Sequence, residues 1–167
     1  MNLNKMQEIK LEKVVLHCTT ADQQKLERCM KLLKYISGKN PIRILAKKRI
    51  PAFKLRPKLP IGYKVTLRKE DAAKILQIAL SGITELKESC FGEGYLNFGI
   101  REYIEIPTLT FQREIGILGF DISAHLKRTG LRVREKKRMK SKIGNKQKIN
   151  KEETIEFFKK NFNTKLK

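Results

Sequence analysis

The chain has 167 residues, 40% of them hydrophobic, which is enough for one domain with a real core and too many for a disordered chain. Its 38 lysines and arginines outnumber 17 aspartates and glutamates, so the formal net charge is +21. Such an excess repels itself in a folded protein and indicates a polyanionic partner, with nucleic acid ahead of an anionic membrane surface. The longest run without a charged residue, 75–84, is too short to span a bilayer, and the N-terminal residues show no apolar signal segment. We expect a cytosolic protein without a membrane partner.

The first part of the chain alternates predicted strands and helices. Apolar and charged residues alternate over 7–18, which is typical of a strand. Thr20 and Gln23 have the spacing of a capping box, and Gly38 is placed to end the helix that follows. The residues predicted for the buried side of this helix are Leu26, Cys29, Met30, Leu33 and Ile36. Residues 42–46 are compatible with a short strand.

A second strand and helix follow directly on each other. Residues 63–68 alternate, with cations and a threonine on one face, a pattern that suits phosphate binding but also an ordinary solvated strand. Glu70 and Asp71 favour the positive end of the next helix. Its predicted buried residues are Ala72, Ile75, Leu76, Ala79, Leu80 and Ile83. Further strands are predicted over 95–106 and 119–126.

Two segments are much more basic than the rest. Residues 37–69 contain no carboxylate, and the prolines in their middle favour an extended basic loop at about 49–58. Residues 127–151 carry twelve cations against the single carboxylate of Glu135, which predicts either a disordered tail or an arm that orders on RNA. Asn150 and Glu153 then begin a short helix that we expect to dock on the body through its phenylalanines.

These elements predict an α+β fold. We expect a single domain with one mainly antiparallel sheet and helices packed on one face. Residues 1–126 would form the body with its basic loop, and residues 127–167 the basic arm and docked C-terminal helix of the same domain.

Motifs for catalysis are missing from the sequence. No glycine-rich phosphate loop occurs, and His17 and His125 are the only histidines, neither in a nucleophile motif. Cys18, Cys29 and Cys90 lack the spacing of a zinc site or a disulfide framework and are expected to pack as buried or half-buried small hydrophobes. We expect no catalytic residue, no metal and no cofactor, and therefore no enzyme.

An ordered set of short motifs covers nearly the whole chain. In chain order these are Ser37-Gly38-x-x-Pro41, Ala46-Lys47-Lys48, Phe53-Lys54-Leu55-Arg56, Ile61-Gly62, Val65-Thr66-Leu67-Arg68, Asn97-Phe98-Gly99-Ile100-x-Glu102 and Gly116-Ile117-x-Gly119-Phe120-Asp121. The set resembles the universal large-subunit ribosomal protein numbered five in bacteria and eleven in eukaryotes. The C-terminal motifs resemble the archaeal and eukaryotic branch of that family, and they are Lys136-Lys137-Arg138, Ile143-Gly144 and Ile149-x-Lys151-Glu152-Glu153.

The resemblance implies an α+β protein of the central protuberance that binds 5S rRNA and contacts peptidyl-site tRNA. Its other implied partners are large-subunit rRNA and neighbouring ribosomal proteins, including the other 5S-binding protein. The 5S-facing positions map to His17, Lys39, Asn40, Arg43, Lys64, Thr66 and Arg68. The tRNA-contacting loop maps to Arg49, Phe53, Lys54, Arg56 and Lys58. The rRNA-binding cations of the arm are Arg132, Arg134, Lys136, Lys137, Arg138, Lys140, Lys142, Lys146 and Lys148.

The chain departs from the family pattern at several positions. Relatives usually carry asparagine where His17 stands, glutamine at Lys39, glycine at Lys69 and asparagine at Tyr95, and the loop after His17 is shorter here and lacks glycine. The implied location is the cytoplasmic ribosome, with a nucleolar stage of assembly if the source is eukaryotic. The alternative is a stand-alone RNA-binding factor or RNA chaperone outside the ribosome.

Overall fold

The computed structural model describes residues 4, 6–20, 22–83 and 85–166. In these residues one six-stranded sheet has the order β2-β3-β1-β6-β5-β4, and every neighbouring pair is antiparallel. The strands are β1 (Ile9–Thr19), β2 (Ile42–Leu45), β3 (Pro60–Arg68), β4 (Phe91–Gly92), β5 (Tyr95–Ile100) and β6 (Phe120–Arg128). The helices are α1 (Gln23–Ser37), α2 (Lys69–Ser81), α3 (Arg132–Glu135) and α4 (Lys151–Phe162). The predicted α+β class is confirmed.

Helices α1 and α2 cover one face of the sheet, where the core lies. Alternate residues of β1, β3, β5 and β6 point into it and are almost fully buried. Helix α1 adds Leu26, Cys29, Leu32, Leu33 and Ile36, and α2 adds Ala72, Leu76 and Ala79. The predicted stripe of α1 is therefore right except at Met30, which is 36% exposed while Leu32 takes the buried position.

The prediction is right for the C-terminal end of α1 and wrong for its N-terminal end. Gly38 adopts a left-handed conformation with φ of 65° and donates its N–H to the Lys34 carbonyl, as expected for a C-terminal glycine. The capping box at Thr20 and Gln23 is wrong, because the helix begins at Gln23 with Asp22 as its N-cap. The Thr20 N–H donates to the Ile61 carbonyl at 2.9 Å, which keeps Thr20 at the end of the sheet.

The predicted strand over 95–106 is also too long. It ends at Ile100, which pairs with Phe120, the first residue of its partner strand β6. Beyond that pair no neighbouring strand of the described chain continues the ladder, and a single helical turn follows in which Tyr103 is fully buried. The Tyr103 hydroxyl accepts a hydrogen bond from the Gln112 N–H at 2.8 Å.

The C-terminal helix α4 packs on the body beside β4. Its start has the predicted capping box, in which the Asn150 N–H donates to Glu153 Oε2 at 3.0 Å. Phe158 is completely buried and meets Phe91 of β4 edge to face, with ring centroids 5.9 Å apart. In the part of the chain that the structure describes, no helix is both long and apolar enough to cross a membrane.

Candidate nucleic-acid interface

The face of the sheet opposite α1 and α2 carries polar side chains. On β3 the exposed Lys64, Thr66 and Arg68 alternate with buried apolar residues, as the sequence predicts. Strands β1, β5 and β6 continue this surface, which we call the open face. Its side chains are Lys13, Val15, His17, Lys64, Thr66, Arg68, Tyr95, Asn97, Asp121, Ser123, His125 and Lys127.

The register of the strands sets most of these residues in rows across the sheet. One row, the Arg68 row, consists of Arg68, Lys13, His125 and Tyr95. The next row is Thr66, Val15, Ser123 and Asn97, and the third is Lys64, His17, Asp121 and Gly99. Neighbouring strands lie roughly 4.8 Å apart, so four residues span about 15 Å. Cations from strands far apart in sequence therefore lie side by side.

One carboxylate lies beneath the Arg68 row. The β1–β6 register shifts between Leu11 and Lys13, which leaves Glu12 as the extra residue of a bulge. Its Oε1 lies 3.3 Å from Lys127 Nζ and 3.6 Å from Arg68 Nη1. Its Oε2 lies 2.9 Å from His125 Nδ1, close enough for an ion pair but without the alignment of a hydrogen bond.

The surroundings of Glu12 favour its charged form. The side chain is only 6% exposed, and this burial alone would raise the pKa of the carboxyl group. The hydrogen bond from Lys127 and the charges of Lys127, His125 and Lys13 outweigh burial, so the pKa of Glu12 lies below its usual value. Glu12 is therefore an ionised carboxylate of β1 that pairs with cations of two neighbouring strands, Arg68 of β3 and Lys127 of β6.

The remaining predicted 5S-facing residues divide between two faces. His17 Nε2 lies 3.5 Å from Asp121 Oδ2 in the same row as Lys64. Lys39, in the turn after α1, lies 2.6 Å from Asp71 Oδ2 near the Arg68 end of β3, and Asn40 beside it is exposed. The hydrogen bond from Lys39 holds the pKa of Asp71 below its usual value.

Arg43, which was also predicted to face 5S rRNA, does not lie on the open face. Its Nε donates to the Tyr63 hydroxyl at 3.2 Å, and Tyr63 points into the core. Arg43 therefore lies at the β2 edge on the helix side, whereas Lys64, the neighbour of Tyr63 along β3, points to the open face.

The basic loop between β2 and β3 is a short hairpin. Ile50 and Leu55 exchange two backbone hydrogen bonds of 3.1 Å, and Ala46 donates to the Leu59 carbonyl at 2.8 Å. A single helical turn, Pro51–Phe53, forms the tip, where Phe53 is 68% exposed. The tip lies at the end of the β2–β3 pair opposite the turn that holds Lys39. The other predicted loop residues are all exposed, and they are Arg49, Lys54, Arg56 and Lys58, although Leu55 between them is half-buried.

The basic arm leaves the sheet after Arg128 and returns to it at α4. Arg128 Nη1 donates to the carbonyls of Lys146 and Lys148, at 2.6 and 3.3 Å. Helix α3 and one later helical turn are the only helical pieces that the described part of the arm contains before α4. All nine predicted arm cations are exposed. A cavity of about 620 Å³ lies between Lys127 and the arm, and its other lining residues are Arg132, Glu135, Lys136, Lys137 and Arg138.

No cluster suited to metal binding is visible in the described residues. None of their histidines, cysteines and carboxylates form a group of three or more that could hold a metal. Cys18 and Cys29 are buried and Cys90 is half-buried, all as free thiols, which confirms the packing role predicted for them. The neighbouring Cys29 and burial raise the pKa of the Cys18 thiol.

The RNA-binding positions predicted from the sequence include only four of the twelve residues of the open face. Among the other eight are the basic or aromatic residues Lys13, Tyr95, His125 and Lys127. The alternation along β6 is a sufficient signal for His125 and Lys127, because both share a face with Ser123. No sequence signal marks the bulge that brings Glu12 onto the same face as Lys13.

The fold and its surface define a basic α+β protein with one polar sheet face. The family model described as ribosomal protein L5 matches residues 4–56, and a second model, for the C-terminus of the same ribosomal family, matches residues 60–157. The chain therefore belongs to the ribosomal protein L5 family, which confirms the resemblance seen in its motifs.

Three archaeal proteins, each described as large ribosomal subunit protein uL5, are similar along most of their length. The protein of Nanoarchaeum equitans is 39% identical over 155 residues, covering 91% of this chain and 92% of that protein. The protein of Methanosphaera stadtmanae is 40% identical, covering 86% of each chain. The protein of Pyrobaculum aerophilum is 41% identical, covering 93% of this chain and 88% of its own.

Proposed function

We propose that the protein is a structural constituent of the large ribosomal subunit that binds 5S rRNA in the central protuberance. Its basic loop would contact peptidyl-site tRNA, and its basic arm would bind large-subunit rRNA. Its protein partners would be the neighbouring proteins of the protuberance, including the other 5S-binding protein. The three archaeal relatives are described as large-subunit proteins, and the proposal extends that role to this chain.

The observation that carries the proposal is the open face with its rows of cations. Lys64, Thr66 and Arg68 present two cations and a hydroxyl on one strand, and Lys13 and Lys127 add charge from two others. Charged and hydroxyl groups of this kind bind phosphate oxygens and set the orientation of a protein on folded RNA. The exposed tip of the basic loop, at the far end of β2 and β3, is free to reach a second RNA.

Filter binding to isolated 5S rRNA over a series of salt concentrations tests the proposal. We expect the double variant Lys64→Ala/Arg68→Ala to bind more weakly and to lose about 1 to 2 from the slope of log affinity against log salt, one increment for each lost phosphate contact. The matched control is Lys159→Ala/Lys160→Ala, which removes the same charge from exposed positions on α4. Equal losses in both double variants would reject a 5S site on the open face.

Sedimentation separates a ribosomal protein from a stand-alone RNA-binding factor. We expect the protein in cell lysate to migrate with large subunits and to stay there after a moderate salt wash. A peak confined to the light fractions would favour the stand-alone factor.

A further inference from the structure

The Arg68 row ends at Tyr95, whose ring lies against the backbone of the neighbouring strand β4. Tyr95 lies directly opposite His125 and is 45% exposed. It is also paired with Gly92 across the β4–β5 turn, and a Cβ placed on Gly92 would collide with the Tyr95 ring. The ring therefore lies against the glycine backbone on one side and remains accessible on the other. An aromatic ring held in this way can stack on a nucleobase.

The cations in and beside this row carry more positive charge than Glu12 neutralises. The one carboxylate of Glu12 is shared by Arg68, Lys127 and His125, and Lys13 stands next to it in the row. Glu12 is 6% exposed, whereas the side chains of Arg68, His125 and Lys127 above it remain 58%, 39% and 41% exposed. Arg68, Lys127 and Lys13 against one carboxylate leave two positive charges on the strands that lead across the sheet to Tyr95.

We propose that the Tyr95 end of the open face binds an unpaired nucleotide of RNA. The base stacks on the exposed side of the Tyr95 ring, and the flanking phosphates contact Lys127, Lys13 and Arg68. Glu12 is a positioning residue in this site, since it holds the cations without facing the RNA.

This inference rests on the proposed function, because it takes RNA to be the ligand of the open face. It adds a preference for a single-stranded segment, which phosphate contacts alone would not produce. Cations bind the backbone of paired and unpaired RNA alike, whereas a stacking ring needs a base that is free of its own stack.

The test uses the full chain and a short, adenine-rich single-stranded RNA that carries one 2-aminopurine, whose fluorescence falls when it stacks. We expect binding of the wild-type chain to quench this fluorescence. Tyr95→Leu, which keeps apolar cover over Gly92, should weaken binding about tenfold and abolish the quench, whereas Tyr95→Phe should remain within about twofold of wild type. Lys127→Ala should weaken binding and reduce its salt dependence, but leave the quench intact on RNA that is bound.

Three outcomes would contradict either the nucleotide site at Tyr95 or the proposed function. If wild-type binding produces no quench, or if Tyr95→Leu binds the single-stranded RNA as well as wild type, the nucleotide site is wrong whatever the variants do to folding. If wild type binds 5S rRNA in the filter assay but shows no preference for single-stranded over duplex RNA of the same sequence, the inference fails and the proposed function stands. If wild type binds neither 5S rRNA nor the short RNA, the proposed function itself fails.

Discussion

Arg128 Nη2 lies 2.6 Å from Glu153 Oε1, and this contact joins the last residue of β6 to the first turn of α4. The Arg128 side chain is only 11% exposed, and its other terminal nitrogen reaches two carbonyls at the end of the arm. The Arg128 guanidinium group therefore binds the far end of the arm, 129–148, next to the residue at which the arm begins. The arm is a closed loop, although its composition alone also allowed a free tail.

The first prediction concerns this fastening. Arg128→Ala removes hydrogen bonds to a carboxylate and to two carbonyls, and we expect it to lower the free energy of unfolding by about 1–3 kcal/mol. The control is Lys151→Ala, which breaks an exposed ion pair of 2.7 Å with Glu88 and should cost much less, because solvent and salt screen the pair. Denaturant titration measures both values. Equal destabilisation by the two variants would contradict the role given to Arg128.

The second prediction concerns the arm on RNA. In the free protein the exposed lysines and arginines of 132–148 should be cut early by trypsin, whereas the bound arm should be protected because its cations contact phosphate. Limited proteolysis with and without large-subunit rRNA, followed by mass spectrometry, locates the cuts. The exposed Lys159 and Lys160 of α4 serve as internal reference sites. Cleavage of the arm at the same rate in both states would argue against an RNA contact there.

The third prediction follows from the lowered pKa of Glu12. A carboxyl group whose pKa is lower in the folded chain stabilises the fold at pH values above its unfolded pKa of about 4.5, and this contribution is lost as pH falls through the folded value. Wild type should therefore exceed Glu12→Gln in stability at neutral pH, and the difference should shrink below pH of about 4.5. Thermal unfolding from neutral to acid pH measures it.

The control for this experiment is Glu114→Gln. Glu114 pairs with Lys31, but its side chain is 77% exposed, so solvent and salt screen the pair. We expect a much smaller difference from wild type at every pH. A Glu12→Gln difference that stays constant into the acid range would show that the carboxylate charge contributes nothing to stability.

The fourth prediction separates the basic loop from the open face. Phe53→Ala truncates an exposed side chain at the tip, so it should leave both folding and 5S binding within about twofold of wild type. If the tip contacts tRNA, reconstituted subunits that carry the variant should bind peptidyl-site tRNA more weakly. The control is Phe111→Ala, which truncates a phenylalanine that is 54% exposed away from the loop. A 5S binding loss as large as that of Lys64→Ala/Arg68→Ala would contradict the separation.

Much of the fold could be predicted because the hydrophobic pattern and the burial agree residue by residue. Strand β3 is the clearest case, since its alternation alone identifies the side chains that point away from the core. The prediction over 95–106 failed because the strand length is set by the partner, Phe120, which begins the pairing only at Ile100. Rows across the sheet were not predictable either, since they depend on the register between strands that are distant in sequence.

Because of the bulge at Glu12, the number of residues in β1, as well as their chemistry, decides which side chains face the core. Before it, Ile9 and Leu11 turn toward the core, and after it the inward positions are Val14, Leu16 and Cys18, so the inward residues change from odd to even numbers. If the same residues paired in regular alternation without the bulge, Lys10 would turn inward and Leu11 outward. One residue can therefore be lost from this strand without inverting the flanking pattern only at the bulge itself.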